Sequence, residues 1–261
     1  MRYVEIALAT FKAQLSYRFD IAVNMLFTVS RILLAHVLWG AIYAGRGAVN
    51  GMTLNQMMTY YILTAFVAQL DLSSDSGFEI ANRIRGGSFS SVMVLPIRPT
   101  GFFASQTAGA SAFYLSFNLI AAAAWTLLFG VRPEIEPAAL PAALAMVALG
   151  LVFMMQMHFF LGILAFRFTD VWMFMMIKDN LLLLATGAMV PLFLLPDWLQ
   201  AALRYLPFYH VAYLPSMALM GRLTNELAAG IAALAAWNGA MAVVNRAAYR
   251  SFRVRFDGVG A

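Results

Sequence analysis

The residues that could carry chemistry are few, and their spacing argues against most catalytic uses. The chain of 261 residues has no cysteine, so it has neither a thiolate nucleophile nor a disulfide framework. Its 3 histidines, His36, His158 and His210, stand far apart. There is no HExxH pair and no second histidine within one helical turn, so packed or interfacial histidines are expected rather than metal ligands. The lysines are Lys12 and Lys178, and neither follows a glycine-rich loop. A phosphate-cradling loop needs the GxxxxGK[ST] spacing, so nucleotide hydrolysis is not expected within this chain. Asp71 and Asp75 are four apart and could in principle share a proton, but a solvated helix end accounts for them more simply. No catalytic residue, metal or cofactor is therefore expected in the chain itself.

The elements that would hold these residues are set by composition. The chain is 62% hydrophobic and 11% charged, whereas soluble domains are nearer 45–50% apolar and about 25% charged. A spanning helix needs about 20 mostly apolar residues, and six stretches qualify: 20–43, 54–72, 101–129, 137–166, 177–195 and 225–249. Thr53 and Gln56 have capping-box spacing at the start of the second. The third and fourth exceed the bilayer and must tilt or project, and the fifth is the shortest and weakest. Runs such as LIAAAAWTLLFG do not alternate as barrel strands do. The expected fold is all-α, a single polytopic membrane domain over 1–261.

Basic residues orient it. Of 17 lysines and arginines, Arg46, Arg132, Arg204 and Arg222 fall on one side, Arg31 lies within the first span, and the remainder lie on the other side. The positive-inside rule then puts both termini in the cytoplasm, as an even number of spans requires. The N-terminus carries Glu5 and Lys12 and no small-residue cleavage site, unlike a signal peptide. Within 1–18, Val4, Leu8, Phe11 and Leu15 form one helical stripe, which predicts an interfacial helix on the inner leaflet, with an amphipathic helix packed on protein as the alternative. The segment 196–224 is apolar, aromatic and broken by Pro196, Pro207 and Pro215, so re-entrant or interfacial helices on the outer side are predicted there. Tyr249, Arg250, Phe252, Arg253, Arg255 and Phe256 follow the last span. They read as a membrane-surface anchor, and no nucleic-acid partner is expected.

The loop 71–103 is the most informative. Ser74 or Asp75 can cap a short helix over 76–85, Glu79 and Arg83 can pair at i, i+4, and Gly86 and Gly87 can end it. Phe78 and Ile84 offer apolar contacts. Such a helix suits either docking of a soluble partner or coverage of the membrane surface.

The stretch IRGGSFSSVMVLPIRP (84–99) resembles the motif after the second span in permease subunits of type-2 ATP-binding-cassette exporters, roughly Ile-Arg-x-Gly-x-Leu-x-x-Leu-Leu-Leu-Arg-Pro-Ile-x-Pro. Ile84, Arg85, Gly87, Pro96, Ile97 and Pro99 fall in register, and Phe89 takes the first leucine position. Leu95 stands where the family has arginine, with Arg98 nearby. Tyr17-Arg18, GAMVPLFLLPDWLQAALRYLPF (187–208) and the short basic tail are similar to the same family. The resemblance implies a bacterial inner-membrane permease that pairs with a second permease half, identical or paralogous. Cytoplasmic ATPase subunits binding ATP and Mg would drive it, and an amphipathic substrate would move outward. It implies that 76–85 is the coupling helix, with Gly77, Phe78, Glu79, Ile80, Asn82 and Arg83 meeting the ATPase. Asn24, Arg31 and Asn238 are then candidates to line the path, although polar residues in spans, including Asn245, also serve as interhelical hydrogen-bonding groups. An ion-coupled transporter would need intramembrane acids, and the acidic residues lie at or near span ends. A membrane-embedded enzyme lacks a catalytic constellation, and a non-transporting scaffold is the remaining alternative.

Overall fold

The computed structural model describes residues 2–16, 18–70, 73–129, 133–187 and 190–255. Among these the chain is helical with no β-strand, in the order α1 (Arg2–Gln14), α2 (Arg18–Tyr43), α3 (Leu54–Leu70), α4 (Ser73–Arg85), α5 (Ser90–Met93), α6 (Pro99–Phe129), α7 (Leu140–Ile163), α8 (Trp172–Ala185), α9 (Asp197–Arg204), α10 (Leu214–Leu219) and α11 (Leu227–Phe252). Short 3-10 turns extend α7 to 137–166 and α11 back to Thr224.

Two of these runs, 137–166 and 224–252, are long and apolar enough to cross a bilayer, and only 33% and 22% of their most apolar windows is buried. A helix of that composition in a soluble core would be buried instead. α2 and α6, of 26 and 31 residues, reach about 39 and 46 Å at 1.5 Å per residue. Leu34, Val37, Leu127, Leu144, Met173 and Val243 point outward from these and neighbouring helices. An outward apolar surface of this kind marks a face that contacts membrane or another protein.

Local signals set several boundaries. At α3 the capping box forms in full: Gln56 N donates to Thr53 Oγ1 and Thr53 N donates to Gln56 Oε1, each at 3.2 Å. Pro137 and Pro141 sit in the first turns of the 137–166 run, where the missing N–H costs nothing, and the Glu136 side chain accepts from Ala138 N at 3.4 Å.

Three elements depart from the sequence reading. The N-terminal helix does leave Val4, Leu8 and Leu15 exposed, but its other face packs on α6. There Tyr3 lies on Gly101, the Ala7 carbonyl occupies the space beside Gly109, and Phe11 meets Phe113 edge-on at 5.4 Å. The loop helix begins at Ser73 rather than 76. The fifth apolar helix is Trp172–Ala185, not 177–195. It starts early because the Asp170 carboxylate accepts from Trp172 N at 2.8 Å. It ends early because Gly187 turns left-handed at φ +72, with its carbonyl held by the Tyr60 hydroxyl at 2.9 Å. Its 14 residues cover about 21 Å, less than a bilayer core of about 30 Å.

Close helix packing rests on glycine. A Cβ at Gly162 would sit 2.8 Å from Ile80 Cβ and 2.9 Å from the Gly77 carbonyl. Gly162→Leu should therefore lower the thermal midpoint of the detergent-solubilised protein by the equivalent of about 1–3 kcal/mol of overpacking. Gly239→Ala, with nothing within 4 Å of the new atom, should leave it unchanged or slightly raised.

Candidate functional site

α4 carries the pattern of an amphipathic helix, and its neighbours explain which side is which. Gly77, Ile80, Ala81 and Ile84 are buried. At Gly77 the helix comes so close to α7 that a Cβ would lie 3.1 Å from the His158 carbonyl and 2.6 Å from Met175 Cε of α8. Phe78 is partly buried against Leu161, Leu164 and Val171. The opposite side exposes Asp75, Asn82, Arg85 and Gly86, with Glu79 and Arg83 half-exposed. Glu79 and Arg83 form the expected i, i+4 pair at 2.6 Å, worth only tenths of a kcal/mol at such exposure. The Arg85 guanidinium donates to Asn82 Oδ1 at 3.0 Å and to the Thr169 carbonyl at 3.2 Å. The residues nominated for partner contact thus divide. Gly77 and Ile80 are internal because the i, i+3, i+4 rows of α4 interlock with α7, Phe78 is largely so, and Glu79, Asn82 and Arg83 can meet a partner. Arg85 belongs with the exposed set, which its place in the loop motif alone did not reveal. Ser74 and Asp71 as capping or paired residues lie outside the described side chains.

The loop motif locks this helix in place. α4 ends as the double glycine requires: Gly86 N donates to the Asn82 carbonyl at 2.9 Å, and Gly87, at φ +73, donates to the Ile84 carbonyl at 3.2 Å. Phe89 then turns inward, its N–H on the Arg83 carbonyl at 2.9 Å. Its ring stacks on Phe103 at 6.2 Å and meets Phe166 edge-on at 5.5 Å. Ile84, Phe89, Val92, Phe103, Phe159 and Ile163 form one apolar cluster. Pro96 is exposed, Ile97 half-buried, and Pro99 opens α6, where its fixed φ suits a first helical position. The motif works as a clamp joining the end of α4, the start of α6 and the C-terminal end of α7.

The buried cation beside this clamp was not foreseen. Lys178 counts among the inner-side basic residues by sequence, yet it is 2% exposed within α8. It donates to His158 Nε2 at 2.5 Å and pairs with Asp179 at 2.5 Å. His158 is oriented for this because its other ring nitrogen is 2.8 Å from the Met154 carbonyl. The histidine is therefore a packed, hydrogen-bonded group. Among the described residues no cluster of three His, Asp or Glu could hold a metal.

Further along the bundle the polar side chains tie α7 to α11. Gln156 Nε2 donates to Asn238 Oδ1 at 2.7 Å, Asn238 Nδ2 reaches the Leu149 carbonyl at 3.0 Å, and Asn245 Nδ2 reaches the Gln156 carbonyl at 2.8 Å. Asn238, a candidate for the path, commits its polar atoms between two helices. The side chains of Asn24 and Arg31 lie outside the described residues. A cleft of about 900 Å³ opens between α4, the start of α6, α7 and α11.

At the other end of α7 sits the proline-broken segment. It forms α9, a wide helical turn over Tyr209–Tyr213 and α10, and from Pro207 to Ala218 it is buried. Gly150 admits Val211, and Gly230 of α11 admits Leu214 and Met146. Around its rim, Glu134 accepts from Gln56 Nε2 at 2.9 Å and Asn55 Nδ2 at 3.1 Å. Those bonds and the charge of Arg222 hold its pKa below the usual glutamate value. Arg222 also donates to the Gly51 carbonyl at 2.5 Å. α7 thus carries α4 at one end and the broken segment at the other, about 18 Å apart along its axis from Gly162 to Gly150.

A family model described as ABC-2 family transporter protein matches residues 29–259. No curated protein matches the chain.

The α7–α11 ladder has a measurable worth. Interhelical hydrogen bonds in membranes average roughly 0.6 kcal/mol, so Gln156→Ala and Asn238→Ala should each destabilise the solubilised protein by about that much or a little more. In a double-mutant cycle their effects should be less than additive. Strict additivity would mean that the pair makes no energetic contact.

Proposed function

The chain belongs to the ABC-2 family of transporter proteins as a permease subunit, and from this premise we propose that it is one half of an exporter that moves an amphipathic substrate outward on ATP hydrolysed by separate cytoplasmic subunits. Six crossings are proposed, made by α2, α3, α6, the run 137–166, α8 with the turns that follow it, and the run 224–252. Both termini face the cytoplasm of a bacterial inner membrane, and a second permease half, identical or paralogous, completes the path. No nucleotide site or catalytic residue is assigned to this chain; ATP and Mg belong to the ATPase.

The single observation that carries the coupling role is the two-sidedness of α4. One face is interlocked with α7 through Gly77, Ile80 and Gly162, while Glu79, Asn82, Arg83 and Arg85 point away. Packed interiors have low compressibility and transmit displacement. A push on the polar face of α4 would therefore move α7, and α7 would carry the buried segment 207–218 at its outer end. ATP would bias the permease between two arrangements only through its different fit to α4 in each.

Two experiments bear on this. In gently solubilised complexes, Asn82→Ala with Arg85→Ala should weaken retention of the ATPase subunit and reduce nucleotide-dependent transport about ten-fold or more, the effect of losing roughly 1.4 kcal/mol of contact. Thermal stability of the permease itself should stay the same. Full transport in the double variant, or a wild-type protein that never retains an ATPase, contradicts the reading. Topology is testable because the chain has no cysteine. A cysteine replacing Lys12 should react with an impermeant thiol reagent only in inverted vesicles, and one replacing Arg46 only in intact cells.

A further inference from the structure

The cleft of about 900 Å³ beside α4 has two kinds of wall. Arg98, Arg246, Arg250 and Arg253 line one part of it, and Val152, Met155 and Phe159 line another. None of its lining residues is acidic. Among the described residues, none of the four arginines makes an ion pair with a carboxylate; Arg253 instead lies over the Tyr249 ring at 5.7 Å. Guanidinium groups cannot deprotonate to relieve their mutual repulsion, so four of them around one concavity favour an anion within it.

A second observation comes from the cleft's depth. Asn245 lines it and is 4% exposed. Its Nδ2 is engaged by the Gln156 carbonyl at 2.8 Å, but its Oδ1 is buried with no hydrogen-bond partner. A buried acceptor left unsatisfied costs about 1–3 kcal/mol, and a ligand hydroxyl would relieve it. The combination is a cationic mouth, an apolar wall and one deep acceptor. The volume is within the range of about 300–1,000 Å³ that holds small ligands.

We propose that this cleft binds an acidic phospholipid of the inner leaflet. The phosphate lies among Arg98, Arg246, Arg250 and Arg253, a headgroup hydroxyl donates to Asn245, and the first part of an acyl chain rests on Val152, Met155 and Phe159. The site would place a lipid against Ser76 and Ile80 of α4. The assignment requires only that this end of the bundle sits at the inner leaflet. It does not depend on the direction of transport or on an ATPase.

The test uses the purified permease in mixed micelles of dioleoylphosphatidylglycerol and dioleoylphosphatidylcholine, with retained lipid measured by mass spectrometry. Wild type should retain the glycerol lipid in preference to choline. Each basic group near an anionic headgroup contributes about 1 kcal/mol, roughly a factor of five, so Arg246→Gln with Arg250→Gln should lose roughly thirty-fold. Lys12→Gln, on the same side but outside the cleft, should lose nothing. Met155→Trp keeps every charge while filling the apolar wall, and it should also lose the lipid. Equal retention of the two lipids would overturn the proposal, and so would full retention in Met155→Trp, which would mark a diffuse basic surface. Displacement of the lipid by millimolar inorganic phosphate would indicate a small-anion site instead and would equally overturn it.

Discussion

The approach of α4 to α7 at Gly77 and Gly162 is the constraint on which the rest of the structure depends. With a Cβ at Gly162 the two helices could not keep this distance, since Ile80 and the Gly77 carbonyl already fill the space. Everything around the contact maintains it. The Gly87 turn and the buried Phe89 hold the end of α4, the aromatic cluster ties α5 and α6 to the same side, and Lys178 bridges α8 to His158 directly beside Gly77. A helix held this way is packed into α7 along its buried face.

The second consequence is where polar groups go. In lipid a backbone or side-chain polar atom must be satisfied internally, and the ladder of Gln156, Asn238 and Asn245 does this between α7 and α11 for its amide nitrogens and for Asn238 Oδ1, leaving Asn245 Oδ1 as the exception. Tyr60 does it for the broken backbone after α8, where Gly187 leaves its carbonyl outside any helix. The outer segment follows the same rule. Its prolines break it, but burial between α3, α7 and α11 lets an irregular backbone sit where an exposed one could not.

Much of this was legible in the sequence because it depends on local chemistry. The 137–166 run, the Thr53–Gln56 box, the Glu79–Arg83 pair and the stop at Gly86–Gly87 are written in adjacent residues. What was missed depends on partners distant in sequence. The end of α8 is set by Tyr60, 127 positions away from Gly187, and its start by Asp170, which the apolar-run reading passed over. The inner face of α1 is set by Gly101 and Gly109, whose absent side chains leave no hydrophobic stripe to read. Gly77 and Ile80 belong inside for the same reason: amphipathic spacing identifies two faces of α4 but not which one a partner sees. The four arginines of the cleft come from distant parts of the sequence, Arg98 from one loop and the others from the last helix and its turn, so only the fold brings them together.

The central claim is that α4 and α7 move as one body under ATP. Because the chain has no cysteine, paired spin labels can be placed cleanly at Ser88, just past α4, and at Leu144, exposed on the N-terminal half of α7. Distances would be read by pulsed electron spin resonance in the permease–ATPase complex with and without nucleotide. The Ser88–Leu144 distance should stay the same, while the distance from Ser88 to a label in the second permease half changes. A nucleotide-dependent change within the Ser88–Leu144 pair would show that α4 slides on α7, and would contradict the account.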